Sequence, residues 1–322
     1  MKGKITSCAG YLPEKRVTND ELSKTVDTTD EWIRERTGIT QRFLVSNGQK
    51  TSDLAFNAAT LALNKINCTH IDGIILATTT PDLTFPSTAC IVQKMLMESG
   101  VSSNFAFDIQ AVCSGFVYAT AMANSLIQSG TAKNLLVIGA DSLSNILDWT
   151  DRETCVLFGD GAGAIVLEST KFDDISGIID CNLYSDGSHS DLLYTTGGVS
   201  ATKTSGFIKM KGREVFRHAV SKMSQGIEET LQKSGFSKDD VKFIVAHQAN
   251  ERILDAVAHK LQIPDEKFIK TVQKHANTSA ASIPLALSDL LESRISALNH
   301  GDLVVFEALG AGLTWGSILL KW

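Results

Sequence analysis

The sequence predicts an α/β protein, built as a duplicated α/β/α/β/α sandwich with two mixed sheets and with helices between and outside them. Three observations carry that expectation. Apolar runs of strand length alternate with stretches of helical length, the pattern of buried sheets covered by helices. The order of these segments in the first half recurs in the second, as in a duplicated unit. No charged tail, low-complexity tract or Pro/Ser-rich linker intervenes, so two tightly packed halves are expected, residues 1–170 and 171–322.

In the first half, the strand DGIILATTT (72–80) precedes the helix-like ACIVQKMLMESG (89–100). FAFDIQAV (105–112) then runs directly into CSGFVYATAMANSLIQSG (113–130), and NLLVIGA (134–140) closes the unit. In the second half, VKFIVA (241–246) leads into HQANERILDAVAHKL (247–261). KFIKTVQ (267–273) takes the place of the second strand ahead of TSAASIPLALSDLLES (278–293), and DLVVFEALGAG (302–312) ends in a glycine-rich turn. Aligned this way, Cys113 and Asn277 fall at nearly equivalent junctions, and His247 opens the helical region after the first strand of its half. FGDGAGAIVLE (158–168) lacks dinucleotide spacing and runs on into strand-like residues instead of a helix, so a close-packed turn or hairpin is expected there and not a phosphate loop.

A formal net charge of −6 and the lack of a basic run argue against nucleic acid as a partner. No apolar window reaches the ~18 residues of a membrane span, and the N-terminus shows no secretory pattern, so no membrane association is expected. The six cysteines, at 8, 68, 90, 113, 155 and 181, form no CxxC pair and no zinc-like cluster with histidine. The expectation is a cytoplasmic protein with reduced thiols and no metal site.

Cys113 stands where an apolar strand turns into a helix, beside the small residues Ser114 and Gly115. The positive end of a helix and its free N–H groups favour a thiolate nucleophile there, although a cysteine taken at random is more often plain core. His247 leaves a strand end, where side chains of α/β proteins meet ligands; alone, it reads more often as a hydrogen-bonded structural histidine. Asn277 before Thr278-Ser279 reads alone as a helix cap. The remaining histidines, 70, 189, 218, 259, 275 and 300, lie in loop-like or amphipathic contexts, and His275 competes only by its closeness to Asn277. EALGAGLTWG (307–316) follows a strand and could offer backbone N–H groups to an oxyanion.

Taken together, AVCSGF (111–116), HQAN (247–250), NTSAAS (277–282) and GAGLTWG (310–316) resemble the signature blocks of the type III β-ketoacyl-acyl-carrier-protein synthases, condensing enzymes of the thiolase superfamily. The segment 11–39 and the block FGDGAGA (158–164) share the likeness, which runs in order from about residue 5 to the end. The resemblance implies a thiolase-like fold and a decarboxylative Claisen condensation of a short acyl-CoA, acetyl-CoA by default, with malonyl carrier protein. That reaction initiates fatty acid biosynthesis and uses no cofactor beyond these substrates.

Residue by residue, the resemblance makes Cys113 the acyl-accepting nucleophile. His247 and Asn277 would stabilise the enolate. The N–H groups of Cys113 and Ala311 would form the oxyanion hole. Trp32 and Arg152 would sandwich the CoA adenine, with Arg36 and Asn250 on the nucleotide and pantetheine arm. Phe85 would reach into a partner subunit's acyl pocket, which implies a homodimer; Leu143, Phe158, Ile208 and Phe216 would line that pocket. Arg217 and Arg252 would meet the acidic carrier protein. Four positions depart from the family pattern: Ala276 and Ala311 stand where glycines are common, Arg213 where Asn is frequent, and Glu251 adds a negative charge. Two other classes fit the scaffold, an acyltransferase to an alcohol or amine with His247 as general base, and a non-catalytic partner subunit, against which the intact Cys-His-Asn set speaks.

Overall fold

The structure, a computed structural model, describes residues 1–293 and 298–322. Two mixed sheets carry the fold. The first has five strands, in the order Lys2–Tyr11, Gly161–Thr170, Asn134–Asp141, His70–Ala77 and Ser102–Ile109. Its first three neighbours run antiparallel and its last three parallel. The second has four, in the order Val241–Ala246, Leu303–Gly310, Thr314–Lys321 and Gly177–Ser185, with only the first pair parallel.

Why the layers form is legible in the burial. The helices Gly115–Gln128 and Ser282–Ser293 are apolar on nearly every side, as a helix buried between two sheets must be. Phe116, Ala119, Ala123, Ile283 and Leu287 share one core with Ile75, Val137 and Ile165 of the first sheet and Val245, Phe306 and Ile318 of the second. The helices Thr51–Asn64 and Thr88–Glu98 cover the outer face of the five-stranded sheet, and Gly212–Ser234 with Glu251–Leu261 cover the outer face of the other. The result is the α/β/α/β/α sandwich.

The segment KFIKTVQ corrects the expectation of a matching strand. It makes only an isolated bridge, Ile244 to Phe268, before a short helix at Val272–His275. The buried Gln248 side chain replaces the missing ladder: its amide donates to the Ala246 and Ile269 carbonyls (2.8 and 2.9 Å) and accepts from the Thr271 and Val272 N–H groups (2.8 and 3.1 Å). The glycines of 158–164, expected in a turn, enter a strand at Gly161 that packs beneath Pro284 and Leu285 of the central helix.

The central layer sits very close to the first sheet at Gly139. A Cβ built there would lie 2.2 Å from the Ala280 carbonyl oxygen, so only glycine allows the turn Ser279–Ala281 to rest on the strand. Gly139→Ala is expected to lower unfolding stability by about 1–3 kcal/mol in urea titration; an unchanged midpoint would show that the turn can lift off freely.

Candidate active site

Cys113 sits in a tight turn, Val112–Ser114, between the strand ending at Ile109 and the helix Gly115–Gln128. Val112 has φ 49°, a left-handed conformation that costs a β-branched residue about 1–3 kcal/mol and is held only where the surroundings impose it. Here they do. The Ser114 N–H and hydroxyl both donate to the Ala111 carbonyl (3.1 and 2.7 Å), and Thr314 of the other half donates to the same oxygen at 3.1 Å. A Cβ at Gly310 would lie 2.9 Å from the Cys113 nitrogen, so the two turns touch backbone to backbone. Ala311 lies beside Cys113 on a shared cavity wall and is not among the residues with positive φ; an alanine fits that turn without strain.

Burial pushes the Cys113 thiol up to about 12; a contact with Ser279 opposes this and the buried carboxylate of Asp141 reinforces it. The resting group is therefore a thiol, which corrects the thiolate suggested by the helix N-terminus. Burial is the leading cause and disfavours the charged form.

His247 follows the strand Val241–Ala246, its N–H held by the Glu307 carbonyl at 2.8 Å. Its Nδ1 lies 2.7 Å from the Ser282 hydroxyl oxygen, which also accepts from the Gln248 N–H at 3.3 Å. With the hydroxyl donating to Nδ1, the imidazole proton sits on Nε2. Burial alone drops His247 to about 3, so the ring is a neutral donor.

Asn277 is fixed through its backbone, N–H to Leu157 and carbonyl from Gly159, both 3.0 Å. Its Oδ1 accepts from the Ser279 N–H at 2.9 Å, which leaves the amide N–H₂ as the donor end. The residue before it, Ala276, has φ 60° and ψ −165°, a region that is essentially glycine-only. His275 is buried but lines neither cavity.

Two cavities meet at Cys113, Phe158 and Leu193. The larger, about 860 Å³, holds Cys113, His247 and Asn277 at its inner end, and Trp32, Arg36, Asn250 and Arg252 also line it. The smaller, about 330 Å³, is lined by Leu143, Phe158, Ile208, Leu193 and Ala311. Phe216 corrects the acyl-pocket expectation: it lines the larger channel, because the helix Gly212–Ser234 runs along that side. Phe85 is 83% exposed and lines neither cavity of its own chain.

The guanidinium of Arg36 lies 4.4 Å from the Trp32 ring centre and that of Arg152 5.3 Å, too close for an aromatic base between them, so Arg152 has to swing away from its contact with the Asp27 carbonyl (3.0 Å) to form a sandwich. Asn250 caps the helix Glu251–Leu261 through Ile253 N–H at 3.1 Å. Glu251 turns away from the channel, against Gly38 and Gln273. Arg213 lines the channel, whereas Arg217 is exposed outside both cavities.

Ser282, Gln248, Ser279 and Thr314 support the site, and sequence reasoning gave them no role. Ser282 and Thr314 act by contacts across 35 and 203 residues, for which the local sequence carries no signal, and the Gln248 side chain reaches the segment 269–272.

The chain matches the family model for 3-oxoacyl-[acyl-carrier-protein] synthase III over residues 107–187 and the model for the C-terminal part of that family over residues 231–322. The β-ketoacyl-[acyl-carrier-protein] synthase III of Rickettsia bellii is 52% identical with full coverage of both chains, and that of Wolbachia pipientis wMel is 54% identical, covering 100% of this chain and 99% of that one. The crystal structure of 3-oxoacyl-[acyl-carrier-protein] synthase III from Aquifex aeolicus superposes with a TM-score of 0.92 at 46% identity, over 99% of this chain and all of the other.

Replacing Ala276 with Gly is expected to raise stability by about 0.5–2 kcal/mol, the relieved strain less the added chain entropy; a lower thermal midpoint would contradict the backbone assignment. A histidine held neutral far below its usual value cannot gain a proton in the ordinary acid range. Malonyl decarboxylation is therefore expected to stay level as pH falls from 8 through 6.5, and a step near 6.5 that vanishes in His247→Gln would show a titrating imidazole.

Proposed function

The chain belongs to the 3-oxoacyl-[acyl-carrier-protein] synthase III family, and we propose that it does so as an active initiator, a condensing acyltransferase working through an acyl-cysteine at Cys113. Its reaction is the condensation of a short acyl-CoA with malonyl carrier protein, the first carbon–carbon bond of fatty acid synthesis. The observation that carries the assignment of residues is that Cys113, His247 and Asn277, far apart in sequence, line the inner end of one cavity.

In the first half-reaction the Cys113 sulfur attacks the primer thioester. Its proton leaves with the CoA sulfur as the new carbon–sulfur bond replaces the old one. Because the resting group is a thiol, deprotonation accompanies attack. The N–H groups of Cys113 and Ala311 hold the carbonyl oxygen, and the acyl chain enters the smaller cavity. In the second half-reaction malonyl thioester occupies the larger channel. The bond to its carboxylate breaks, CO₂ departs, and the electron pair becomes an enolate. A neutral Nε2–H and an amide N–H₂ suit that oxygen because neither is acidic enough to quench the carbanion. The carbanion then attacks the acyl-cysteine, and the sulfur leaves and is reprotonated from water. No cofactor is assigned beyond the two substrates.

Trp32, Arg36, Arg152 and Asn250 are proposed to take the CoA nucleotide and its arm, and the exposed Arg217 and Arg252 the acidic carrier. The division into residues 1–170, bearing the nucleophile, and 171–322, bearing the enolate-stabilising pair, is supported by the sheets: one draws all its strands from before residue 171 and the other from after it. A homodimer is proposed because Phe85 presents an exposed aromatic side chain three residues ahead of Thr88, whose N–H is held by Asp108 of the edge strand Ser102–Ile109. Among the described residues no helix is long and apolar enough to cross a membrane; six free cysteines support a cytoplasmic location.

Intact-protein mass spectrometry with acetyl-CoA is expected to show an acetyl adduct that Cys113→Ala abolishes. Asn277→Ala is expected to keep the adduct and lose about 10²–10³ in condensation. An Asn277 variant that loses acylation and keeps decarboxylation would reverse these roles.

A further inference from the structure

The turn Gly187–His189 and the helix Gly212–Ser234 meet through two half-buried histidines, His189 and His218, whose ring centres lie 4.3 Å apart with planes tilted by 48°. Neither belongs to the site described above, yet each is tied to one wall of it. Just before the turn, Asp186 exchanges two backbone hydrogen bonds with Leu313, N–H to carbonyl at 2.8 and 2.9 Å. Leu313 is two residues from Ala311 of the oxyanion turn. Just after it, Ser190, Leu193 and Tyr194 line the smaller cavity. On the helix, Phe216, Ala219 and Met223 line the larger channel. One aromatic contact thus joins the primer chamber and the oxyanion turn to the wall along which the thioester arm runs.

We propose that His189 and His218 are positioning residues for primer transfer, and that the contact between their rings sets the primer chamber and the oxyanion turn against the helix. This deepens the acyl-cysteine reading and rests on it.

The charges around the pair decide its behaviour on acidification. From the turn side come Asp186, whose carboxylate lies 3.6 Å from His189 Nε2, and Asp191, paired with Lys211. From the helix come Arg217 and Lys222; the latter reaches Asp186 at 3.8 Å and covers the Trp315 ring at 3.8 Å. Burial, then His189, Arg217 and Lys222, hold His218 below the usual imidazole range, with Asp186 opposing. The direction follows from proton linkage. His218 binds the proton more readily when the turn is released than when it is closed on the helix, so the contact is at full strength above about pH 6.5 and weakens as pH falls below it. A charge on the His218 ring, packed on His189 and beside two further cations of the same helix, Arg217 and Lys222, disfavours the closed contact.

The test is the rate of acetyl-adduct formation on Cys113 from acetyl-CoA at pH 7.5 and 5.8, with malonyl decarboxylation followed in parallel. In the unaltered protein kcat/KM for acetyl transfer is expected to fall about three- to tenfold over that range, through KM for acetyl-CoA, while decarboxylation stays level. His218→Phe keeps an aromatic ring that cannot charge, and should cut the acid decline below about twofold. His218→Lys places the charge permanently, and should raise KM for acetyl-CoA at pH 7.5, with thermal melting used to verify folding; if that variant does not fold, the Phe variant decides alone. An acid decline of undiminished size in His218→Phe overturns the coupling and leaves the acyl-enzyme intact. No adduct at any pH overturns the acyl-enzyme reading and the coupling with it.

Discussion

Two turns from opposite halves of the chain have to touch backbone to backbone before this site can exist. The nucleophile turn, Val112–Ser114, rests on Gly310, where a Cβ would collide with the Cys113 nitrogen, and Thr314 fastens the contact through the Ala111 carbonyl. The neighbouring close approach of Gly139 to the Ala280 carbonyl seats the turn that follows Asn277. Interiors packed at crystal-like density transmit such contacts as position. Thiol, imidazole and amide come from distant places in the chain, and these glycines let them share one cavity.

Depth then sets the chemistry. A charge is expensive in this interior, so burial keeps Cys113 a thiol and His247 a neutral imidazole. The supporting groups are arranged for neutral partners. Ser282 offers a hydroxyl and not a carboxylate to His247, so the ring is oriented without being made a stronger base. A carboxylate there, as in hydrolase triads, would favour an imidazolium, and an imidazolium would protonate the enolate it is meant to hold. Asn277 is oriented in the same spirit, by the Ser279 N–H on its oxygen.

The layers and the three reacting residues were legible in the sequence because each leaves a local mark. Strand-length apolar runs predict the sheets, Cys113 and His247 lie at strand-to-helix junctions, and all three reacting residues fall within the quoted blocks. What stayed hidden depends on contacts across the fold. KFIKTVQ has the composition of a strand, but the Gln248 side chain takes its hydrogen bonds. Phe216 lines the larger channel because its whole helix runs along that side, a placement that the local sequence does not report. The thiol's protonation state turned on burial, which the helix N-terminus signal does not report. Ala276, noted as a departure from a common glycine, proved to occupy a glycine-type backbone conformation.

The central claim is that one sulfur divides two chambers, primer on one side and the thioester arm on the other. A crystal structure of the enzyme after exposure to acetyl-CoA tests it most directly. Acetyl density is expected on Cys113 Sγ, its methyl in the chamber of Leu143, Phe158 and Ile208, its oxygen at the N–H groups of Cys113 and Ala311, and CoA in the channel lined by Trp32 and Asn250. Acetyl on another residue, or an acyl chain lying in the larger channel with its oxygen on His247 and Asn277, would contradict it.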